Sequence, residues 1–400
     1  MRFSGFEGEW EKKKLEQVAV KVNSGKTPLG GEKAYSNEGI IFIRSQNINN
    51  DRLELDSPVF ISEEVNKGMK NSVVQSNDIL LNITGASLGR SCVVPDNFII
   101  GNVNQHVCII RLNENYNPRF IQPYFSSQNG QNIFLSLQTG SGREGLNFES
   151  IKSIQLFFPN KEEQKMIAYF LSIIDSRIQT QSKIIQRLES LMQGVRENVF
   201  KQQKRFKNKK GNDLPEWEAK KLDLILIKNS NKNKGQKHSL VQSVSNKYGF
   251  INQDEMFEDR QVASKNTSNY YVIEKGHFAY NPSRINVGSL AYKFDNKTSV
   301  ISPLYISFRA NNNYIKDDYL LNWFSTQQFL KQMDKSFEGS VRNTLSYESL
   351  VKMKISIPSL DEQEKIVNIL SSINKKIQTE KSVLEQLEIQ KKYLLQNLFI

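Results

Sequence analysis

The chain has 400 residues and a formal net charge of +12, with 54 lysines and arginines against 42 aspartates and glutamates. This length is too great for one ordinary hydrophobic core and predicts two or more domains. Two cysteines are too few for a disulfide framework. The spacing of these cysteines and the three histidines fits no zinc site. Without an apolar run of about 18 residues or a signal-peptide core, the chain is expected to be cytoplasmic, with no membrane span. Its positive charge attracts phosphates.

The first 155 residues alternate short apolar runs with turns, which is the pattern of strands joined by loops. GIIFIRSQNI (39–48), NDILLNITGASLGRSCVV (77–94) and NQHVCIIRL (104–112) predict strands, and RFIQPYFSSQNGQNIFLSL (119–137) predicts short helices. We therefore interpret 1–155 as a globular domain of mixed α and β structure.

Residues 156–206 follow the pattern of one long helix. Pro159 precedes an acidic first turn, Glu162 and Glu163, which suits a helix N-terminus. Apolar residues then recur at alternating steps of four and three, the 3.5-residue period of a coiled-coil seam. A polar residue at one seam position lowers stability but specifies register and partner. The predicted seam consists of Ile167, Leu171, Ile174, Ile178, the polar Gln181, Ile185 and Leu188.

The segment KQQKRFKNKK (201–210) contains six basic residues and no acid. It fits a solvated helix end with a linker, and it fits equally a direct contact with phosphates.

The second half of the chain repeats this order. Residues 207–354 predict a second strand-and-loop domain, in which GHFAYNPSRINVGSLAYKF (276–294) and TSVISPLYISFR (298–309) are the strand segments and DDYLLNWFSTQQFLKQM (317–333) forms short helices. Residues 355–400 predict a second long helix. Its seam consists of Ile366, Leu370, Ile373, Ile377, the polar Glu380, Leu384 and Leu387.

The two halves are an internal repeat. Leu146–Phe200 aligns without a gap on Leu345–Phe399, at a shift of 199 residues (345 − 146). Farther upstream, GEWEKKKL is similar to PEWEAKKL, with Trp10 aligned on Trp217. The middle segments of the two copies share little sequence. Similar flanking segments around dissimilar middle segments predict one scaffold that presents two different surfaces. Two long amphipathic helices in one chain most simply pair with each other; the alternative is that they are ordinary core helices of two globular domains.

The loops of both halves are rich in the side chains that read base edges. Arg pairs with guanine, and Asn or Gln pairs with adenine, although polar loops are also common without any ligand. We predict that these loops form a DNA-reading face. The candidates are Arg44, Gln46, Asn82, Thr84, Ser87, Arg90, Gln105, Arg143 and Asn147 in the first half, and Tyr280, Asn281, Ser283, Arg284, Asn286, Arg342 and Asn343 in the second.

Two short motifs imitate catalytic sequences and fail in detail. SGKTP (24–28) ends like a phosphate-binding P-loop, but Val20 stands where the motif needs glycine and Pro28 would interrupt the following helix. YNPS (280–283) is similar to the Asn-Pro-Pro-aromatic motif of amino-methyltransferases, but Ser283 replaces the second proline and no glycine-rich cofactor loop accompanies it. We therefore expect a non-catalytic chain with no metal site.

The duplicated set of segments resembles the specificity subunit of a type I restriction-modification enzyme. The resemblance covers nearly the whole chain and rests on EWEKKKL with SGKTP, DILLNITGASLGR, LPEWEAKKL, HFAYNPSRINVGSLAYK, and the pair FPNKEEQKMI and IPSLDEQEKI. It implies an α+β fold in which two globular α/β target recognition domains (1–155 and 207–354) are separated by two long antiparallel coiled-coil helices (156–206 and 355–400), with pseudo-two-fold internal repetition.

The same resemblance implies that each recognition domain reads one half of a split target on double-stranded DNA, with an unread spacer between. The paired helices would dock two methyltransferase subunits, and restriction (motor-nuclease) subunits would join them. This chain would bind no cofactor, since S-adenosylmethionine, ATP and Mg²⁺ would belong to the partner subunits. Two rival interpretations are a coiled-coil adaptor that reads no DNA sequence and a stand-alone methyltransferase or nuclease.

Overall fold

The structure is a computed structural model, and it describes residues 2–138, 145–207, 210–212, 214–246, 248–253, 266–337 and 344–399. The chain divides into two compact units. Unit 1 consists of Met1–Lys183 with Lys381–Ile400, and unit 2 consists of Ile184–Glu380. Each unit contains part of both long helices, so the unit boundaries fall within the helices. The predicted domain bounds at residues 155, 206 and 354 stay predictions.

The central sheet of unit 1 has four antiparallel strands, in the spatial order Ala19–Ser24, Val107–Leu112, Ile79–Asn82 and Ser91–Val93. Its inner strands are apolar at consecutive positions because both of their faces are covered. Ile79 and Leu81 belong to one hydrophobic cluster, whereas Leu80 and Ile109 belong to another on the opposite face. The strands predicted from NDILLNITGASLGRSCVV and NQHVCIIRL are thus confirmed.

A second sheet of unit 1 combines parallel and antiparallel pairing, in the order Val59–Ile61, Ile40–Ile43, Gly101–Val103 and Val73–Val74. A small hairpin joins Ile48–Asn49 to Arg52–Leu53 through Asn50 and Asp51, which both adopt positive φ, as a tight two-residue turn requires. Glu11–Lys14 pairs with Gln155–Phe158. The short helices are Leu15–Val18, Glu63–Lys67, Pro118–Ser126, Gln128–Ser136 and Phe148–Lys152.

Unit 2 has an equivalent central sheet, in the order Leu226–Lys228, Ile306–Ala310, His277–Tyr280 and Leu290–Tyr292. Glu218–Lys221 pairs with Lys354–Ile357, matching the outer strand pair of unit 1. Two further pairs join Gln242–Ser245 to Gly249–Asn252 and Tyr271–Ile273 to Ser299–Ile301. The short helices are Asp317–Trp323, Gln327–Lys335 and Tyr347–Leu350. The predicted repeat is therefore confirmed in three dimensions.

The two long helices are present. Long helix 1 spans Lys161–Phe200 and long helix 2 spans Leu360–Asn397. Within unit 1 they run antiparallel, because Asp175 pairs with Lys391 while residues six positions later on helix 1 lie beside Val383 and Leu387 on helix 2. Every predicted seam residue is buried or half-buried.

The ends of the long helices also belong to the cores of the two units. In unit 1, Ile167 and Leu171 of long helix 1 share a hydrophobic cluster with Leu394 of long helix 2. In unit 2, Val199 and Ile366 belong to another such cluster. The alternative interpretation as core helices is correct for these ends, which anchor each helix in both units.

The repeated Glu-Gln pair at the start of each long helix is a buried anchor. Glu163 is fully buried and ion-paired with Arg2 at 2.8 Å, and Glu362 is paired with Arg205 at 3.3 Å. The predicted acidic first turn is confirmed, and the Glu163 carboxylate lies inside the unit, where it needs a cation. The glutamine that follows joins three segments of the fold.

We expect Gln164→Leu to destabilise unit 1 by about 2 kcal/mol. Gln164 donates to Pro159 O at 3.0 Å and accepts from Asn117 N at 3.0 Å, so its removal leaves a buried carbonyl and a half-buried N–H unpaired. Urea unfolding of the full chain measures the change. The matched control is Gln179→Leu, at an exposed position of the same helix. Equal effects of the two substitutions would show that the hydrogen bonds contribute nothing.

Candidate nucleic-acid interface

The candidate loops of unit 1 converge on one place. Asn82 Nδ2 donates to Ser45 O at 2.9 Å, which joins the loop NITGASLGR to the segment RSQN. Ile83 N donates to His106 O at 3.0 Å and Leu146 N donates to Ile83 O at 2.9 Å. Four segments that are far apart in sequence therefore meet beyond the same end of the central sheet.

A directed hydrogen-bond network runs through this convergence. Thr27 Oγ1 donates to Gln105 Oε1 at 2.6 Å, Gln105 Nε2 donates to His106 Nε2 at 2.9 Å, and His106 Nδ1 lies 2.6 Å from Thr84 Oγ1. Because an amide nitrogen only donates, His106 Nε2 accepts and the ring proton lies on Nδ1. Thr84 Oγ1 then accepts that proton, which leaves its own hydroxyl hydrogen and one Gln105 N–H available to a ligand.

Three more candidates, Arg44, Gln46 and Arg90, lie near the hairpin formed by residues 48–53. Arg90 is exposed, and its Nη1 donates to Asn49 Oδ1 at 2.7 Å, while Asn49 Nδ2 donates to Gln46 O at 2.9 Å. Gln46 is exposed, and the half-buried Arg44 guanidinium lies 5.5 Å from the Tyr35 ring centre. These hydrogen bonds fix the backbone beside the exposed side chains of Arg90 and Gln46.

Two predicted contact residues are buried in the folded chain, and their contact with DNA stays a prediction. Asn82 is fully buried, and its side chain holds Ser45 O in place. Tyr280 is also fully buried; its hydroxyl donates to Leu345 O at 3.1 Å, and burial raises its pKa well above the ordinary tyrosine range. Both side chains hold the loops from inside the unit, and the Asn82 Oδ1 atom is buried without a hydrogen-bond partner.

Other candidates have a local role and remain at the surface. Asn147 is exposed and its side chain caps the helix Phe148–Lys152 by accepting from Ser150 N at 2.7 Å. Ser87 is half-buried in the short turn after Thr84. Arg143 lies outside the described residues.

Four candidates of unit 2, Asn281, Ser283, Arg284 and Asn286, lie on one loop, residues 281–288. The Asn281 side chain accepts from Ser283 N at 3.1 Å, and Arg284 and Asn286 are exposed. Leu345 N donates to Pro282 O at 3.1 Å, so residues 344–345 lie against this loop as residues 145–146 do in unit 1. Arg342 and Asn343 lie outside the described residues.

A charged cluster that the sequence did not reveal connects the unit 1 hairpin to both long helices. Lys391 Nζ lies 2.7 Å from Asp51 Oδ2 and 2.8 Å from Asp175 Oδ1, and Arg52 Nη2 donates to Asp175 O at 3.0 Å. Ser126 donates to the other carboxylate oxygen of Asp51. The Lys391 cluster thus holds the hairpin that contains Asn49 against the helices, and Asn49 in turn contacts Gln46 O.

The remaining chemistry of the described residues is sparse. No group of three or more His, Cys, Asp or Glu in that part of the chain is arranged to hold a metal ion. Cys92 and Cys108 are buried free thiols, and burial raises the pKa of Cys108 to about 12, which suppresses thiolate formation. None of the described helices is long and apolar enough to cross a membrane.

A polar loop face on a duplicated α+β frame with long helices defines a class of DNA specificity proteins. The family model of the type I restriction modification DNA specificity domain matches residues 7–190 and 214–389, and the chain belongs to this family. The chain is similar to the type I restriction enzyme MjaVIII specificity subunit of Methanocaldococcus jannaschii, with 24% identity over 346 residues covering 82% of this chain and 79% of that protein.

A second relative and two solved structures agree with this assignment. The EcoBI specificity subunit of Escherichia coli is 28% identical over 200 residues, which cover 48% of this chain and 40% of that protein. The crystal structure of a type I restriction-modification S subunit from M. genitalium has a TM-score of 0.58 at 17% identity, covering 100% of this chain and 97% of that chain. A structure concerned with complex assembly of the type I system has a TM-score of 0.58 at 16% identity, covering 98% of each chain. These two structures show that the fold is shared.

Proposed function

We propose that this chain is the DNA-sequence-reading subunit of a type I restriction-modification complex, and that each unit reads one half of a split target. The observation that carries the proposal is the pair of loop faces on equivalent frames. The hydrogen bond from Leu146 N to Ile83 O recurs as Leu345 N to Pro282 O, yet the side chains around it differ. A common scaffold with different polar loops is what two unlike half-sites require.

Recognition then divides between two kinds of contact. Lysine and arginine side chains neutralise phosphates and supply the salt-dependent affinity, whereas Gln105, Thr84 and Arg284 offer donors to base edges. Half-sites one helical turn apart lie about 34 Å from each other on one face of the duplex. We propose that the long helices act as a ruler that fixes the number of unread base pairs between them.

The long helices also supply a surface for protein partners. Within unit 1, Tyr169, Ile173, Val383 and Leu387 line an open groove of about 600 Å³ along the helix pair. Tyr169 is 66% exposed and Val383 is 42% exposed. Exposed apolar side chains along paired helices suit the apolar stripe of a partner helix. We place the two methyltransferase subunits on the helices, with restriction subunits added to that core.

In this proposal, DNA reading and catalysis belong to different subunits. We propose that it is non-catalytic, acts in the cytoplasm, and leaves S-adenosylmethionine, ATP and Mg²⁺ to its partner subunits. The family model of the type I restriction modification DNA specificity domain, which matches residues 7–190 and 214–389, supports this division. Assaying the purified chain alone for methyl transfer tests it, since activity without partners would contradict the proposal.

We expect Arg284→Ala to alter reading of one half-site only. Loss of one bidentate guanine contact costs about 1–3 kcal/mol, so affinity for the intact target falls about 5- to 150-fold. Gel-shift titration of the complex against targets with substitutions in either half measures this, and Arg90→Ala provides the matched change in unit 1. Equal loss on unrelated DNA would instead identify Arg284 as a phosphate contact. Binding with no sequence preference in the unsubstituted protein would favour the adaptor interpretation.

A further inference from the structure

The loop that imitates the end of a P-loop forms one wall of an open polar cleft in unit 1. The cleft has a volume of about 430 Å³ and lies between residues 24–26 and residues 67–72. Lys26, Lys67 and Lys70 line it, and all three are exposed. The lining residues that the structure describes include no carboxylate. Three cations around one polar opening favour an anionic ligand.

The cleft is built by close backbone contacts. Gly25 N donates to Asn104 O at 3.1 Å, and a Cβ on Gly25 would lie 1.6 Å from Val103 O, so only glycine permits this approach. Asn23 Nδ2 donates to Asn71 O at 3.1 Å, which ties one wall to the other. The lysines therefore extend from a fixed rim.

The same loop is joined to the candidate base-reading network. Thr27 follows Lys26 directly and donates to Gln105 Oε1 at 2.6 Å. An anion held in the cleft would therefore fix the position of Gln105 and His106. A nucleotide does not fit this loop, because Pro28 and a left-handed Gly30 follow it where a P-loop helix would begin.

We propose that this lysine cleft binds backbone phosphate of the duplex beside the half-site read by unit 1. The inference rests on the proposed function and adds a register-setting contact to it. A phosphate contact positions a protein on DNA without carrying sequence information, and lysine serves as a point charge for it.

The corresponding segment of unit 2 has different contacts. Lys232 Nζ donates to Asn269 O at 2.9 Å and lies over the Tyr271 ring, while Asn233 Nδ2 donates to His238 O. There Lys232 is held by the segment 269–271, whereas the lysines of the unit 1 cleft are exposed. We therefore assign the phosphate cleft to unit 1, so that the two halves of the target differ in their dependence on flanking phosphate.

The test is a triple substitution of Lys26, Lys67 and Lys70 by glutamine in the full complex. Each phosphate contact contributes about 0.9 to the slope of log K against log [salt], so we expect the slope to fall by about 1–3. Affinity is expected to fall about equally for target and unrelated DNA, with the recognised sequence unchanged. Triple replacement by arginine should keep the slope, and Lys12, Lys14 and Lys161 replaced by glutamine provide a control with the same charge change.

The outcomes separate the cleft from the wider proposal. An unchanged slope with intact sequence-specific binding would overturn the cleft and leave the proposed function standing, whereas loss of sequence preference at particular positions would make the lysines base contacts. Competition with inorganic phosphate at constant ionic strength separates the ligand sources. If phosphate binding disappears in the glutamine variant while DNA affinity does not change, the cleft binds free phosphate and the inference is wrong.

Discussion

Replacing Lys391 with methionine is expected to lower the free energy of unfolding by about 2–3 kcal/mol, since it leaves two carboxylates in the Lys391 cluster without their cation. The Lys391 side chain is only 17% exposed. Burial alone would lower its pKa, but Asp51 and Asp175 outweigh burial and the pKa is raised. The ammonium group is therefore charged in the folded chain, and its removal is costly because of its low exposure.

The internal repeat supplies the matched variants for this experiment. Shifted by 199 residues, Lys391 corresponds to Met192 and Asp175 to Asn374. The single variant Lys391→Met and the double variant Asp175→Asn with Lys391→Met thus install side chains that the other copy already carries. The double variant removes one orphaned carboxylate, so it should be less destabilised than the sum of its single variants.

Loss of the Lys391 cation is expected to affect DNA binding through the hairpin formed by residues 48–53. Asp51 belongs to the turn that carries Asn49, and Asn49 holds both Arg90 and the Gln46 backbone. We expect Lys391→Met to weaken binding to targets through the first half-site by about tenfold, equivalent to about 1.4 kcal/mol. Urea unfolding and half-site gel shifts measure the two effects. Additive single effects, or equal weakening at both half-sites, would contradict the role of the cluster in positioning this hairpin.

Deleting four residues from the middle of each long helix is expected to shorten the unread spacer by about two base pairs or to abolish activity. Four residues correspond to about 6 Å of helix at 1.5 Å per residue, against 3.4 Å per base pair. The equivalent deletions are 180–183 and 379–382, around the polar positions Gln181 and Glu380. The apolar steps across each new junction remain three or four residues, so the seam survives.

A two-residue deletion provides the control for the ruler. It removes about half a turn at 3.6 residues per turn, which would rotate the apolar stripe away from its partner and disrupt pairing. Sequencing of methylated sites in cells that carry each variant with its partner subunits measures the spacer. An unchanged spacer after the four-residue deletion would contradict the proposal that the long helices fix the number of unread base pairs.

The fold was largely predictable because it depends on local periodicity and on the repeat. The segments 156–206 and 355–400 contain Lys161–Phe200 and Leu360–Asn397, since a 3.5-residue apolar period is visible in the sequence alone. For the unit 1 loops, the sequence predicted only that they form one polar surface. Individual side chains were not predictable, because Asn82 and an exposed loop asparagine have the same sequence signature.

Contacts between distant segments were not predictable from pattern. Lys391 and Asp51 are 340 positions apart, and Arg2 and Glu163 are 161 apart. The sequence alone indicates neither pairing, because no periodicity records the partner of a charged side chain. Thr27 was part of a motif whose nucleotide chemistry fails, and its hydrogen bond to Gln105 depends on the close approach that Gly25 allows.

The most direct measurement of the central claim is genome-wide mapping of methylated adenines in cells carrying this chain with the proposed methyltransferase partners. Two reading units at a set separation predict a motif of two unlike specific blocks divided by a constant number of unspecified base pairs. In cells carrying Arg284→Ala, only one block should lose its definition. A single uninterrupted motif, or methylation that does not depend on this chain, would contradict the account.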